Sequence, residues 1–524
     1  MPSAPALFGK VALGFAGAAG LYAVLLGVLL TPSMQRFALY AHRFNTLWMG
    51  DDLNDGETFG YAKNQVTPFN IHTPDGETLY AWHVLPLDVY ARNERQIREE
   101  KRQPRGPVED VTETAAFKLL SNGEARVIIS FHGNAGHIAQ NHRPATNRYM
   151  ATQQNAHLLT IDYRGFGHST GSPTEAGLIA DGVALVNWVL NVAKVPPERI
   201  VIVGQSLGTA VSSAVALHFA DPGSDLIPST SAEMRPLLQS QPSPKPITFA
   251  GVVLAAPFNS VPTLLLTYQI GGVLPLLLPL RQVPYVANLF LSQVVDQWLT
   301  AERLTAYYNA LHGSSKLHNG RRNMGTIQIL HALNDRDIPY QQTEMICRRV
   351  LGKRDADSAV QPSEINAKDC IDGSHGATVL DVKRNGRPRL RFELVGFGAL
   401  LSPSTMPTKI STSVPNGVQE RILYALIAAA FTLHSGKPVL NFARAVFEPV
   451  SVEDAVKERQ EDEKEVGMNG DFGQGQACKA LARAHALLVE HSEEANAKEL
   501  KEVALGRFTR DMWEDSVRFI SEGW

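Results

Sequence analysis

Residues 201–210 read VIVGQSLGTA: an apolar run, a serine held between two glycines, then small residues that suit a helix. Gly-x-Ser-x-Gly is too short to identify a nucleophile, and the chain carries it twice, the second copy being GHSTG at 167–171. Context separates the two. Around Ser206 the order is strand, Gly-Gln-Ser-Leu-Gly, then the helical stretch TAVSSAVALHFA, which is the strand-turn-helix setting of a nucleophile elbow. The glycines have a physical reason, because the serine backbone there is strained and side chains beside it would collide. Around Ser169 the stretch DYRGFGHSTGSPTEAG runs on as a proline-containing loop. The reading that decides the fold therefore takes Ser206 as the nucleophile and Ser169 as a turn residue.

Working outward, FHGNAGH at 131–137 follows the β-prone run ARVIIS, where a hydrolase of this type contributes a backbone N–H to its oxyanion hole. The donors expected are the amides of Asn134 and Leu207. Further β-rich runs stand at 157–163, 199–204, 249–257, 325–333 and 388–397, and an opening hairpin at 69–86 turns at Asp75-Gly76. Helical spacing at 174–194 (Leu178, Val183, Val186, Leu190) falls between two of these runs. Strands apolar on both faces belong in a mostly parallel sheet covered by helices, so the fold class is α/β.

With 44% hydrophobic and 19% charged residues, the 524-residue chain can bury a large core. A formal net charge of -3 gives no electrostatic reason to expect nucleic acid as a partner. The three cysteines, Cys347, Cys370 and Cys478, read as too few and too scattered for a disulfide framework or a metal site. At the N-terminus, residues 11–30 (VALGFAGAAGLYAVLLGVLL) are twenty uncharged positions, enough for a helix of about 30 Å, the depth of a hydrocarbon core. A transmembrane anchor is the preferred reading over a cleaved signal peptide, since the flank TPSMQ lacks a small-x-small cleavage site. Orientation stays open, with Lys10 on one side and Arg36 and Arg43 on the other.

The organisation expected is a transmembrane helix at 11–30, a hydrolase domain at 64–445 and a polar, helical extension at 446–524. Charge-rich 91–118 and Pro/Ser-rich 221–248 read as surface-loop insertions. An apolar lid spans about 258–318; its segment 261–291 carries a single charge, Arg281, and prolines and a Gly-Gly pair argue against a second membrane span there. Such a lid suits an acyl-chain pocket and contact with a membrane.

Taken in order, FHGNAG, IDYRGFGHSTG, VGQSLG, AAPFNS and ILHALNDRDIP resemble the α/β-hydrolase domain-containing family, in particular its membrane-anchored monoacylglycerol and lysophospholipid lipase branch, over roughly 64–433. The resemblance implies a serine hydrolase acting on lipid carboxylic esters, with a lipid substrate and a membrane as partners, an endomembrane such as the endoplasmic reticulum as its place, and no cofactor or metal. It also implies the acid within His-x-x-x-Asp-x-x-x-Pro, here His331, Asp335 and Pro339, so Asp335 orients the catalytic imidazole, with Asp337 as the alternative.

One departure stands out. The catalytic histidine of the family follows the last strand, yet GALLSPSTMPTKISTSVPNG after 397 contains none. Downstream of Asp335 the histidines are His375, His434, His485 and His491. His434 lies beyond a fourteen-residue helical stretch that rises about 21 Å away from the site, and the other two sit in the polar extension. His375 precedes two β-prone arms joined at Asn385-Gly386, a hairpin that would set it opposite Gly396 at the active-site edge. His375 is accordingly the candidate base, against the reading of a surface histidine. A protein thioesterase or peptidase on the same scaffold, and a non-enzymatic scaffold that has lost its histidine, remain alternatives.

Overall fold

The computed structural model describes residues 20–101, 106–228, 246–268, 277–311, 325–335, 337–352, 370–384 and 387–396, with Gly17 and two short strands at 317–318 and 321–322. A nine-stranded sheet dominates them, in the order β1-β2-β4-β3-β5-β6-β9-β11-β10. Its opening hairpin pairs β1 (Val66–His72) with β2 (Thr78–Val84), antiparallel, around the Asp75-Gly76 turn. Next come the parallel strands β3 (Arg126–Phe131), β4 (Ala156–Ile161), β5 (Ile200–Gln205) and β6 (Gly251–Ala255). A small ribbon, β7 (Leu317–His318) with β8 (Arg321–Arg322), precedes β9 (Thr326–Ala332), which is parallel to β6 and to β11 (Arg389–Val395). Strand β10 (Thr378–Val382) closes the edge antiparallel to β11. Every residue of β4 and β9 is buried, as strands covered on both faces must be.

Two helices lead into this sheet, α1 (Gly20–Leu29) and α2 (Pro32–Tyr40), bent by 88°. Pro32 explains the bend, since a residue before proline is pushed out of the helical region and Thr31 sits at φ -78, ψ 133. Among the described residues no single helix is long and apolar enough to cross a membrane, although this bent pair passes by length and composition together. Most of 11–19 lies outside the described residues.

In segment 91–118, expected as surface loop, the described residues include helices. Helices α3 (Leu87–Arg92), α4 (Glu94–Glu99) and α5 (Ala115–Leu120) bury Val89, Tyr90, Ile97 and Ala116 in a satellite core with Leu85. Charged residues on the outer faces of two short helices mask the periodicity that a longer helix would show. Helix α6 (Arg143–Met150) follows the 132–142 loop, and α7 (Glu175–Asn191) and α8 (Leu207–Ala220) flank the sheet; all fourteen residues of α8 are buried. The lid expected over 258–318 divides in two. The described residues of 258–299, with α9 (Val261–Leu265) and α10 (Pro284–Leu291), form the cap, whereas α11 (Thr300–Ala310) is a core helix whose Leu304, Tyr307 and Tyr308 pack with α8 and β9. Most of the 221–248 insertion and all of 446–524 lie outside the described residues.

The cysteines also differ from expectation. Cys347, on α12 (Gln341–Gly352), is disulfide-bonded to Cys370, with Cα atoms 5.9 Å apart. A separation of 23 residues hides a pair that meets only because the chain returns to α12 before entering β10.

Candidate active site

Ser206 occupies the turn between β5 and α8 at φ 51, ψ -118, a conformation that a serine adopts only when its surroundings impose it. Its N–H donates to the Ala255 carbonyl at 3.0 Å, which ties the turn to β6. The flanking glycines have steric causes. A Cβ on Gly204 would overlap the Gly208 carbonyl and the Ser212 hydroxyl, and one on Gly208 would overlap the Phe131 carbonyl. The strand-turn-helix context read from the sequence is thus present, with the helix resting directly on β3.

The oxyanion-loop candidate runs beside it. A Cβ built on Gly133 would stand 3.4 Å from the Ser206 Cβ. Asn134 and Leu207, the two expected donors, line the same cavity as Ser206, and the Leu207 N–H is the first of α8, where no intrahelical acceptor exists. Ala135 and Gly136 both take positive φ, 61° and 69°, so the loop turns sharply. It is held on the outside by α2, where the Tyr40 carbonyl accepts from the Ala135 N–H at 2.9 Å, and on the inside by Arg143, which donates to the Gly133 and Asn134 carbonyls. Burial lowers the Arg143 pKa to about 10, opposed by the Asp162 charge, so the side chain stays cationic at neutral pH. His142 also lines the cavity, its Nε2 3.1 Å from Gln205 Oε1.

Asp335 follows β9 on the same sheet edge as Ser206, because β5, β6 and β9 are parallel neighbours. Its Oδ1 accepts from the N–H groups of Asp337 at 3.0 Å and Ile338 at 2.9 Å. Its Oδ2 is buried without a hydrogen-bond partner among the described residues. Burial and the neighbouring Asp337 push its pKa up to about 7 in that state, while the two N–H bonds hold it down. Asp337, the alternative acid, lines the cavity itself. His331, four residues before Asp335, has both ring nitrogens engaged, Nδ1 with Thr343 Oγ1 and Nε2 with the Ile338 carbonyl, each at 2.7 Å. Burial lowers its pKa to about 4, and its part is to brace the acid loop.

His375 ends a 3₁₀ turn, Gly373–His375, immediately before β10. Thr378 pairs with Leu394, a register that puts Gly376, one residue further than expected, level with Gly396. The turn lies at the strand end shared with Asp335, where the Gly373 N–H donates to Glu344 Oε1 at 2.9 Å and the disulfide pins Cys370 to α12. His434, His485 and His491 lie outside the described residues.

Above Ser206 is a cavity of about 430 Å³. Its walls come from the cap (Leu264, Leu265, Leu277, Phe290, Val294) and from α1 and α2 (Leu29, Arg36, Leu39), so the N-terminal helices form part of the pocket. Asp296 locks them to the cap: it accepts from Arg36 Nε at 3.0 Å and from the Tyr40 hydroxyl at 2.8 Å. Sequence reading missed this role, which depends on a single carboxylate about 260 residues away.

With the elbow, the acid loop and the parallel sheet in place, comparison with known proteins is direct. Residues 126–357 match the family described as alpha/beta hydrolase fold. That span carries an α/β-hydrolase domain. The matched span includes Ser206 and Asp335 and ends before His375. Over 160 residues the chain is 27% identical to lysophosphatidylserine lipase ABHD12 of Danio rerio, covering 30% of this chain and 37% of that one. Over 97 residues it is 36% identical to protein ABHD12B of Homo sapiens, covering 18% and 26%. The similarity thus spans about a third of the length of these relatives. Among solved structures, an alpha-beta hydrolase from Vibrio vulnificus superposes with a TM-score of 0.37 at 14% identity, covering 61% of this chain and 83% of that one.

Proposed function

We propose that this α/β hydrolase is a membrane-anchored serine hydrolase that cleaves carboxylic esters of lipids, of the monoacylglycerol or lysophospholipid class, through an acyl-enzyme on Ser206. The observation that carries the reading is the strained Ser206 turn at the floor of a largely apolar 430 Å³ cavity, on the sheet edge where one oxygen of the buried Asp335 carboxylate has no hydrogen-bond partner among the described residues. In this reading Ser206 Oγ attacks the ester carbonyl while the imidazole of His375 takes its proton, and Asp335 Oδ2 accepts the other ring N–H and stabilises the imidazolium. The N–H groups of Asn134 and Leu207 receive the oxyanion. The imidazolium then protonates the departing alcohol, and water releases the acid by the same steps in reverse.

Lipid selectivity follows from the walls. Each acyl methylene that leaves water contributes about 0.8 kcal/mol, so a cavity lined by leucines and Phe290 favours long chains over small polar esters. The name of the Danio rerio relative supports a lysophospholipid in particular.

Membrane association is supported by the apolar apron around the cavity. Leu26 and Leu29 of α1 pack on Leu280, Ala287 and Phe290 of the cap. Leu21 and Val24 of α1 and Tyr285 and Leu289 of α10 stay well exposed on the same two elements. Exposed aromatic and aliphatic side chains continuous with the apolar 11–30 segment suit the headgroup boundary, from which a lipid could enter sideways.

Two experiments test the proposal. A fluorophosphonate probe should label the full-length chain, and Ser206→Ala should abolish the labelling; a wild-type chain inert to the probe supports the non-enzymatic alternative instead. Profiling of membrane lipids should then show monoacylglycerol or lysophospholipid turnover. Preference for acylated peptides would replace the lipid ester by a thioester or amide.

A further inference from the structure

Arg143 sits at the first position of α6, half-buried at the cavity wall, and among the described residues none of its side-chain hydrogen bonds goes to a carboxylate. Its guanidinium grips three backbone carbonyls of the loop beside Ser206 instead. Nη1 donates to the His137 carbonyl at 2.6 Å; Nη2 donates to those of Asn134 at 2.8 Å and Gly133 at 3.2 Å. A planar fork with fixed donors suits this, and three neutral acceptors at one guanidinium fix the path of the chain more tightly than one flexible ion pair would.

The identity of the carbonyls matters. The Gly133 carbonyl belongs to the same peptide plane as the Asn134 N–H, the candidate oxyanion donor. Holding that oxygen fixes the plane's orientation, and a cation on it polarises the N–H opposite. The next plane is held at both ends, its Asn134 oxygen by Arg143 and its Ala135 N–H by the Tyr40 carbonyl. The constraint is needed because Ala135 and Gly136 are consecutive left-handed residues, and a non-glycine there relaxes unless its neighbours prevent it.

We propose that Arg143 is the positioning residue of the oxyanion hole, holding the 133–137 turn so that the Asn134 N–H is aimed before negative charge develops. The inference rests on the serine-hydrolase reading of Ser206. Because the interaction acts through a donor used in the transition state, loss of Arg143 should lower kcat and leave KM nearly unchanged.

The test compares the full-length wild type with Arg143→Met and Arg143→Lys on a soluble ester, p-nitrophenyl butyrate. Two ligands are measured alongside: a trifluoromethyl ketone, which forms an oxyanion on the nucleophilic serine, and an ether analogue of a monoacylglycerol, which does not. Arg143→Met should lose on the order of 10²-fold in kcat, comparable with removal of an oxyanion donor, with KM within about threefold. Ketone affinity should fall in step with kcat while ether affinity holds. Arg143→Lys, whose ammonium keeps the charge but lacks the planar fork, should lose about tenfold, and it carries the comparison alone should Arg143→Met fail to fold. A folded variant with wild-type kcat overturns the proposal, and so does equal weakening of both ligands, which marks a merely structural residue. A wild-type chain that neither turns over the ester nor captures the ketone sinks the serine-hydrolase reading itself, a different outcome from unchanged Arg143 variants in an active enzyme.

Discussion

The two Gly-x-Ser-x-Gly stretches share a pattern and almost nothing else. At Ser206 the backbone is forced to φ 51 and the side chain borders a cavity. At Ser169 the hydroxyl is consumed by the main chain: Oγ donates to the Asp162 carbonyl at 2.6 Å and accepts from the Tyr80 N–H at 2.9 Å. One serine is placed where its oxygen can act on another molecule, the other where its oxygen replaces a missing strand partner. The glycines differ in the same way. Gly204 and Gly208 let helix α8 press against β3 and β5, whereas Gly171, at φ 85, serves a turn where the atoms nearest an added Cβ belong to the end of the Glu77 side chain. A motif acquires chemistry from what closes around it.

The largest contrast should be in turnover. Ser206→Ala should reduce kcat/KM on a soluble ester by about 10⁴-fold or more, with the unfolding midpoint unchanged, since only one oxygen bordering the cavity is lost. Ser169→Ala should leave kcat/KM within about twofold; reversed results would exchange the roles of the two loops.

His375→Ala extends the elbow side of the contrast. If its imidazole serves Ser206, activity should fall as fully as in Ser206→Ala, because members of such a unit are not additive, while His434→Ala should retain turnover. Full activity in His375→Ala would remove it from the proposed triad.

Third comes a backbone effect. Gly208→Ala drives a Cβ into the Phe131 carbonyl, and neither β3 nor α8 can yield, so a loss of about 3 kcal/mol or more in stability is expected. Gly171→Ala meets a movable side chain and bears mainly the left-handed penalty of about 1–2 kcal/mol. Chemical denaturation of both variants measures the gap, and equal losses would contradict the rigid helix–strand contact.

Much of this was legible from the chain. Continuous apolar runs marked the parallel strands, and Asp75-Gly76 marked the turn of the opening hairpin; β10 and β11 also pair antiparallel, while Asn385-Gly386 between them lies outside the described residues. The elbow is local, so its glycines and strand could be read directly. What escaped was non-local or carried by the backbone. Tyr40 supports the 133–137 loop through its carbonyl oxygen, which no side-chain pattern announces. Arg143 reads as an ordinary helix-start cation until its three acceptors are seen. Cys347 and Cys370 are brought together only by the return of the chain to α12. For the site, Asp335 was reached through the resemblance, and the family's histidine position is empty in this sequence, so His375 rested on hairpin register alone.

Next in size is a pH effect in the Ser169 loop. Burial pushes the Asp162 carboxyl up from 3.8 to about 7, against the opposing help of the Ile138 N–H and Arg143. A carboxyl whose folded pKa is raised keeps its proton longer in the folded than in the unfolded chain, so its contribution to stability falls as pH rises from about 4 to about 7. Asp162→Asn cannot titrate. The stability difference between Asp162→Asn and wild type should therefore move in favour of the variant by a few kcal/mol across that window and level off above it, whatever its value at pH 4. Comparing the two chains cancels the buried histidines, whose lowered pKa values give the opposite slope in both. A difference independent of pH would mean that Asp162 is ionised throughout.

The smallest effect returns to the second serine. Ser169→Ala deletes one acceptor and one donor, leaving the Tyr80 N–H and the Asp162 carbonyl to find other partners. Each such loss costs about 1–3 kcal/mol when the group stays dry. Ser169 is half-buried next to the exposed His168 and Thr170, so water can reach the gap and replace part of what is lost. A net destabilisation of about 1–2 kcal/mol is expected, read by urea denaturation at neutral pH, together with faster amide exchange at Tyr80. Ser169→Thr, which keeps the hydroxyl, should restore most of the protection. If Ser169→Ala were neutral for stability as well as turnover, the hydroxyl would have no structural task, and the second copy of the motif would reflect only the glycines that turn the loop.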